Sequence, residues 1–166
     1  DWAGGSKLRL IKNSTCSMCY ALKGRYTFKG VKNAHANRLE AITKSNWVEA
    51  MVLLINNYGK KIPYFRWHDS GDVQTIEHLG KICAVAAGTP HIQHWLPTRE
   101  AKILKEYKEA GGVIPANLVI RLSATMVNGV PSKIHDHSST VHTAGVKPIG
   151  EACNAQHQGG QCLDCR

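Results

Sequence analysis

The sequence predicts a single α/β domain built on a parallel sheet, and three observations lead to that fold class. Apolar segments of roughly six residues alternate with longer segments whose apolar residues recur at helical spacing. Each short segment ends in polar residues. The chain has 166 residues, of which 43% are hydrophobic and 20% charged, as in one ordinary globular domain. We therefore expect one domain over residues 1–166.

The first predicted elements are a helical region and a strand. Apolar residues at helical spacing over residues 33–57 predict one long helix, or two helices that meet near Ser45, which would cap the second. The aromatic residues of 63–68 predict a strand. The later predicted elements are a helix at 73–87, a strand at 91–96 ending in a break at Pro97-Thr98, a helix at 99–110, a strand at 117–122 and a short strand within Thr140–Thr143.

Strands that alternate with helices of about a dozen residues predict parallel β-α-β units joined by right-handed crossovers. In such folds, ligands bind at the C-terminal ends of the strands. We therefore expect a small-molecule pocket formed by the loops that follow the three strands. Its predicted residues are Arg66, Trp67, His68, Asp69, Ser70, Asp72, Trp95, Thr98, Arg99 and Ser123.

The charge and hydropathy of the chain limit its partners. The formal net charge is +9, which favours polyanions and makes nucleic acid an alternative partner. The basic residues are spread along the chain, however, as on an ordinary solvated surface. No stretch approaches the ~18 unbroken apolar residues that a membrane-spanning helix needs, so we expect no membrane partner. No signal peptide is visible, and we expect a cytoplasmic protein.

The cysteines predict a metal centre. Cys16 and Cys19 form one C-x-x-C pair near the start of the chain, and Cys162 and Cys165 form a second near its end. If folding brings the pairs together, four thiolates would suit tetrahedral zinc or an iron–sulfur cluster equally well. Cys153 is a fifth candidate ligand, so one of the five would not bind. The alternative is a set of reduced thiols without metal, and the isolated Cys83 is predicted to lie in the core.

Several short motifs resemble a known family. Cys16-x-x-Cys19, followed by Tyr20, is similar to the end of the radical-SAM cluster motif C-x-x-x-C-x-x-C. The wider pattern resembles the phage gene-product-eighty-eight family, whose members are related to radical-SAM-like proteins. The stretches that carry this resemblance are Cys19–Gly24, Asn37 with its flanking helix, Phe65-Arg66 with Ser70-Gly71-Asp72, Trp95-x-x-Thr98-Arg99, Leu122-Ser123 and the ending Cys153-Asn154-Ala155-Gln156 with Cys162-x-x-Cys165.

The resemblance implies a partial parallel β/α barrel that holds a [4Fe–4S] cluster at its open end, and it favours iron–sulfur over zinc. It also implies a location in the host cytoplasm if the protein is phage-encoded. Ser70-Gly71-Asp72 would replace the glycine-rich motif that meets the amino group of S-adenosylmethionine. One position departs from the motif, because Lys12 stands where its first cysteine is expected. If four cysteines bind, every iron has a protein ligand and radical chemistry is not expected. If only three bind, one iron is free to bind the cofactor and radical chemistry is possible.

The segment from His68 to Asp72 also has the residue types of a hydrolase. A serine nucleophile needs a base and an orienting acid. Ser70 would be the nucleophile, His68 the base and Asp69 the orienting acid. The serine elbow motif G-x-S-x-G is missing. Alternative bases are His91, His94, His135, His137 and His142. In the structural alternative, Asp69 caps the following helix and Ser70 satisfies backbone amides.

Overall fold

Four strands form one parallel sheet in the order in which they occur along the chain. The computed structural model describes residues 7–160. The strands are β1 (Tyr64–Arg66), β2 (Gln93–Thr98), β3 (Leu118–Ser123) and β4 (Ser138–Ser139), paired in parallel in the order β1-β2-β3-β4. The predicted single α/β domain with a parallel sheet is therefore confirmed. Within residues 7–160 the sheet is open, with β1 and β4 at its edges, and no barrel is formed.

Within residues 7–160, four α-helices of nine or more residues accompany the sheet. They are α1 (Lys29–Ala41), α2 (Trp47–Gly59), α3 (Ile76–Ala87) and α4 (Ala101–Glu109), and short 3-10 helices lie at Tyr20–Leu22, Gly24–Thr27 and Ala155–His157. The helical region 33–57 is thus two helices with a joint at 42–46. The residue before α2 is Asn46, whose side chain makes no capping bond, so the prediction of Ser45 as its cap is wrong. Among the described residues, no helix has the length and apolarity needed to cross a membrane.

Strand β2 continues through the break that the sequence predicted at Pro97-Thr98. A proline has no N–H to contribute to a sheet, so its position within a strand needs a reason. The Gln93 N–H donates to the Pro63 carbonyl on the β1 side at 2.8 Å. Successive backbone N–H groups of a strand point to alternate sides, so the Pro97 nitrogen, four residues after Gln93, also points towards β1. Strand β1 has already ended at Arg66. The missing N–H therefore costs no ladder bond.

Strand β4 is displaced from the short strand predicted within Thr140–Thr143. Its residues are Ser138 and Ser139. The Leu122 N–H donates to the His137 carbonyl at 2.9 Å, and the Ala124 N–H donates to the Ser139 carbonyl at 2.8 Å. The polar composition of this strand gave no hydrophobic pattern from which to predict it.

The core lies between the helices and one face of the sheet. Alternate residues of β2 and β3 are buried on that face, among them Leu96 and Ile120. They pack with Ile82 of α3 and Leu104 of α4 in one cluster of buried side chains. Both crossover helices therefore cover the same face, as successive right-handed β-α-β units require. Cys83 of α3 belongs to this cluster, as predicted.

Candidate functional site at the C-terminal edge of the sheet

The Asp72 carboxylate joins the loop after β1 to the end of β2. Its Oδ1 accepts hydrogen bonds from the Thr98 hydroxyl at 2.6 Å and from the Val73 N–H at 2.7 Å. Its Oδ2 accepts one from the Arg99 N–H at 2.8 Å. Burial raises the pKa of Asp72, and these donors oppose the rise. The predicted convergence of these two loops is present, but both oxygens already have partners within the protein.

Arg99 extends this connection to the end of β3. Its Nη1 donates to the Ala124 carbonyl at 2.6 Å. The Thr15 hydroxyl lies 2.8 Å from the carbonyl oxygens of both Ala124 and Thr125, and the Thr15 N–H donates to Thr125 at 3.0 Å. Ser123, the last residue of β3, accepts a hydrogen bond from Ser139 at 3.2 Å. The segment that carries the first cysteine pair is therefore hydrogen-bonded, through Thr15, to the C-terminal end of the sheet.

Cys16 and Cys19 lie in a tight turn at this edge, both half-buried. The Cys19 N–H donates to the Cys16 carbonyl at 3.2 Å. Burial raises the pKa of Cys16, the positive charge of Arg99 lowers it, and Cys19, Asp72 and Glu100 raise it further. Two thiols and a guanidinium thus share one environment at the ends of the strands.

The other predicted metal ligands are distributed differently. Cys153 is exposed, and Cys162 and Cys165 lie outside the described residues. Within residues 7–160, no group of three or more His, Cys, Asp or Glu side chains is arranged to hold a metal ion. Only the N-terminal half of the predicted cysteine site is therefore described, and meeting of the two chain ends stays a prediction.

A cavity of about 610 Å³ lies beside β1 on the helix-covered side of the sheet. This volume is within the range of about 300–1,000 Å³ typical of small-molecule sites. The cavity is lined by His35, Arg38, Leu39, Ile42, Trp47, Met51, Phe65, Trp67, His68, Asp69, Ser70, Gly71, Asp72, Gln74 and His78. Half of the predicted pocket is in this lining: Trp67, His68, Asp69, Ser70 and Asp72. The predicted residues outside the lining are Arg66, Trp95, Thr98, Arg99 and Ser123.

Trp67 and Trp95, which were both predicted to line the pocket, lie on opposite faces of the sheet, so the prediction for Trp95 is wrong. Trp67 stacks on His94 with ring centroids 5.9 Å apart, and both residues are buried on the helix side. Trp95 follows His94 directly in β2, so its side chain points to the opposite face. There the Arg66 guanidinium lies 4.8 Å from the Trp95 ring centroid. The register of β1 against β2 cannot be inferred from their separation in the sequence. In the structure, Arg66 rather than Trp67 is paired with Trp95.

The hydrogen-bonding partner of Ser70 is His35, which the sequence interpretation missed. The Ser70 Oγ lies 3.5 Å from His35 Nε2. His35, Arg38, Leu39 and Ile42 recur at helical spacing and all line the cavity. Leu39 and Ile42 belong to the apolar positions that predicted this helix. His35 and Arg38 lie one turn earlier on the same face, and this polar pair was the signal that could have identified His35.

Two other histidines are neutral groups of the cavity wall. His68 and His78 face each other with ring centroids 5.6 Å apart. Burial lowers the pKa of His68 to about 4. Burial, together with the nearby His68 and Lys81, lowers the pKa of His78 to about 4. His68 has a left-handed backbone with φ of 53°, which is uncommon for a non-glycine residue. Both rings are therefore uncharged at neutral pH.

His94, one of the alternative bases, is a core residue. Trp67 Nε1–H donates to its Nδ1 at 3.2 Å, and its Nε2 lies 2.8 Å from the Thr89 hydroxyl oxygen. Because an indole nitrogen only donates, His94 Nδ1 is the acceptor and Nε2 carries the proton. The Thr89 hydroxyl donates to Val85 at 2.8 Å, so its oxygen is available to accept. Both ring nitrogens therefore have internal partners.

Asp69 connects the cysteine segment to the loop after β1. Its backbone carbonyl accepts a hydrogen bond from the Tyr20 hydroxyl, and its Oδ2 accepts one from the Tyr26 hydroxyl at 2.5 Å. This bond to a carboxylate raises the pKa of Tyr26 to about 12. The cap of α3 is Thr75, which accepts from the His78 N–H at 3.1 Å. The alternative role of Asp69 as a helix cap is therefore wrong.

The fold and this site define the class of the protein: a parallel α/β domain whose C-terminal edge carries a cysteine pair next to a cavity of ligand size. The chain belongs to the Gene product 88 family, because residues 10–164 match the sequence profile of that family. This match confirms the resemblance to a phage gene-product family. No curated protein matches the chain, and no solved structure matches it.

Proposed function

We propose that this protein carries a [4Fe–4S] cluster at the C-terminal edge of the sheet, next to a site for a small molecule. Cys16 and Cys19 would supply two ligands, and Cys153, Cys162 and Cys165 are the candidates for the others. When bound, the cluster would supply electron transfer, or redox sensing, next to the ligand.

The observation that carries this proposal is the attachment of the Cys16 turn to the ends of β2 and β3. Thr15 is hydrogen-bonded to Ala124 and Thr125, and Arg99 is bonded to the same Ala124 carbonyl. A cluster held by four thiolates carries net negative charge, and a guanidinium next to it stabilises that charge. The half-buried Cys16 thiol next to Arg99, with the half-buried Cys19 in the same turn, therefore fits the group chemically.

Radical-SAM-like chemistry on a partial barrel is a further part of the proposal. The right-handed parallel units and the cysteine turn at their C-terminal ends are consistent with it. Asp72, the residue expected to meet the ammonium of S-adenosylmethionine, already accepts three hydrogen bonds within the protein. If this chemistry occurs, another acceptor is needed. A change in the spectrum of the reduced cluster on adding S-adenosylmethionine would support an open iron.

The proposal is tested by purifying the chain and its variants without oxygen and recording their absorbance. We expect a brown protein with a broad band near about 400 nm, as iron–sulfur proteins have. Cys16→Ser and Cys19→Ser should lose this band. Cys83→Ala is the matched control, because Cys83 lies in the apolar core. A band that survives in both ligand variants would contradict the assignment, as would a colourless wild-type protein.

A second candidate function is ester hydrolysis, which is favoured by one contact. Ser70 Oγ lies 3.5 Å from His35 Nε2 at the wall of the cavity. In this hypothesis, the serine oxygen would attack the ester carbonyl while its proton passes to His35, which then protonates the leaving alcohol. Water would then attack the acyl-serine, giving its proton to His35, and His35 would return that proton to the Ser70 oxygen as the acid is released. The distance is long for a hydrogen bond, but such pairs often tighten when substrate binds. His35 replaces His68, the base first considered.

Hydrolysis of p-nitrophenyl acetate tests this candidate. Ser70→Ala and His35→Gln should each abolish turnover above the rate of the buffer. Ser45→Ala is the control, because Ser45 is an exposed serine in the joint between α1 and α2. Equal rates in Ser70→Ala and Ser45→Ala would exclude Ser70 as the nucleophile.

A further inference from the structure

We propose that the cavity beside β1 binds a planar aromatic molecule that carries a carboxylate. This inference is independent of the cluster, since Cys16, Cys19 and Cys153 are not among the described residues that line the cavity. It concerns the helix-covered side of the sheet beside β1, whereas the pocket was predicted at the loops that follow all three strands.

The first support is an aromatic wall. The rings of Trp47 and Trp67 lie 6.2 Å apart at an angle of 33°, and Phe65 meets Trp67 edge-on at 5.0 Å. Trp47 also meets His78 edge-on at 5.8 Å. Rings in these arrangements attract another ring beyond the burial of area alone. A flat aromatic group is therefore the shape and polarity that this wall favours.

The inner part of the cavity disfavours a charged group. Burial holds the pKa of His68 and of His78 at about 4, so both imidazoles are neutral at pH 7. The Asp72 carboxylate is occupied by internal donors. An ionic group placed there would lose hydration without gaining an opposite charge. The aromatic part of the ligand should therefore be uncharged.

The opposite end of the cavity is polar and offers a cation. Along α1 and into the joint after it, the cavity lining changes from the polar His35 and Arg38 to the apolar Leu39 and Ile42. Arg38 lies one turn after His35 on the same helix face and lines the cavity. Within residues 7–160, no salt bridge involves Arg38. Its exposed guanidinium is therefore available to a carboxylate of the ligand.

Among the described residues that line the cavity, the exposed Asp69 carboxylate opposes the assignment. Its Oδ2 already accepts a hydrogen bond from the Tyr26 hydroxyl. The net charge of the chain, +9, favours an anion over a cation at long range. A carboxylate paired with Arg38 is therefore preferred to an ammonium paired with Asp69.

Calorimetric titration with indole-3-acetate, indole and tryptamine tests this inference, because the three share a ring and differ in charge. We expect wild-type protein to bind indole-3-acetate roughly tenfold more tightly than indole, the factor that one charged hydrogen bond gives. Arg38→Gln should reduce this ratio to about one, since only the carboxylate contact is lost. Arg25→Gln is the matched control, because Arg25 is exposed and lies outside the cavity lining.

A second variant tests the aromatic wall. Trp47→Leu should weaken indole and indole-3-acetate by the same factor and leave their ratio unchanged. Three results would overturn the inference: no binding of either indole ligand at millimolar concentration, tighter binding of tryptamine than of indole-3-acetate, or equal ratios in Arg38→Gln and Arg25→Gln. Circular dichroism of each variant verifies that it is folded, so a loss of binding can be assigned to the contact.

Discussion

Two halves of the helix layer differ in how tightly they cover the sheet. The β2–β3 half consists of β2, β3, α3 and α4, and the β1 half consists of β1, α1 and α2. Helix α3 has six buried residues, whereas α2 has one and α1 has none. The side chains of the β2–β3 half make up most of the buried core cluster, which Ile55 and Trp67 of the β1 half join. By contrast, α1, α2, β1 and the loop after β1 supply most of the lining of a cavity of about 610 Å³.

This difference separates stability from binding within one small domain. In the β2–β3 half, the buried polar side chains of His94 and Thr98 are occupied by internal partners. In the β1 half, Arg38 and Ser70 line a space that a ligand can enter. We infer that the tightly packed β2–β3 half (the tight half) holds the ends of the strands to which the cysteine turn is hydrogen-bonded. The β1 half, which contains the cavity (the open half), would receive the ligand.

The largest expected effect comes from opening the tight half. Ile82→Ala removes a side chain with no exposed surface, and the resulting cavity should lower the free energy of unfolding by about 3–4 kcal/mol. Leu39→Ala, in the half-buried wall of the existing cavity, should cost less than about 1 kcal/mol. Urea denaturation of both variants measures the difference. Equal losses would show that the two halves are packed alike.

Removing the charge of Asp72 should have the next largest effect. Asp72→Asn leaves the Thr98 hydroxyl and the Arg99 N–H without their carboxylate acceptor, which should cost about 2–3 kcal/mol. Asp69→Asn is the comparison, since Asp69 is exposed and its change should cost less than about 0.5 kcal/mol. Thermal unfolding of the two variants checks the order. A more stable Asp72→Asn protein would mean that the burial cost of the charge outweighs its bonds.

The pH dependence of stability should report the neutral histidine of the open half. Burial lowers the pKa of His68 from 6.5 to about 4, so the unfolded chain binds this proton more readily. The contribution of neutral His68 to the stability of the folded protein is fully present above pH 6.5 and is lost as the pH falls towards about 4.

The slope of stability against pH measures this contribution. His68→Asn keeps a residue that tolerates the left-handed backbone and should reduce the slope by at most about 1.4 kcal/mol per pH unit. The raised pKa of Asp72 acts in the opposite direction, but it affects the wild type and the variant equally. An unchanged slope would show that His68 already titrates normally in the folded protein.

The smallest expected effect concerns an exposed ion pair at the end of α1. Lys44 Nζ lies 2.8 Å from Glu40 Oε1, and both side chains are more than half exposed. Solvent and salt screen such pairs, so Glu40→Gln should lower stability only slightly. The loss should vanish in 1 M salt, where charges are screened within about 3 Å. A loss that persists in salt would indicate a role other than charge.

The sequence predicted the sheet and most helices because these elements have strong hydrophobic periodicity. Helix α3 and strand β3 were found within a few residues of their bounds. Strand β4, with two serines, was misplaced because polar residues give no such signal. The local loop motif after β1 also correctly predicted Ser70 and Asp72 at the C-terminal edge.

What the sequence could not predict is the contact between distant segments. The approach of His35 to Ser70 spans 35 positions and depends on how α1 packs over β1. The register of β1 and β2 likewise decides that Arg66, not Trp67, lies next to Trp95. The cysteine turn was assigned to a metal from spacing alone, and its attachment to Ala124 and Thr125 is a tertiary contact.

The central claim, that the cysteine turn at the end of the sheet holds an iron–sulfur cluster, is tested most directly by metal analysis. Iron, zinc and acid-labile sulfide are measured in protein purified without oxygen. The account predicts about four iron and four sulfide per chain in the wild type, with iron lost in Cys16→Ser. One zinc per chain without sulfide, or no bound metal in a folded and fully reduced protein, would contradict it.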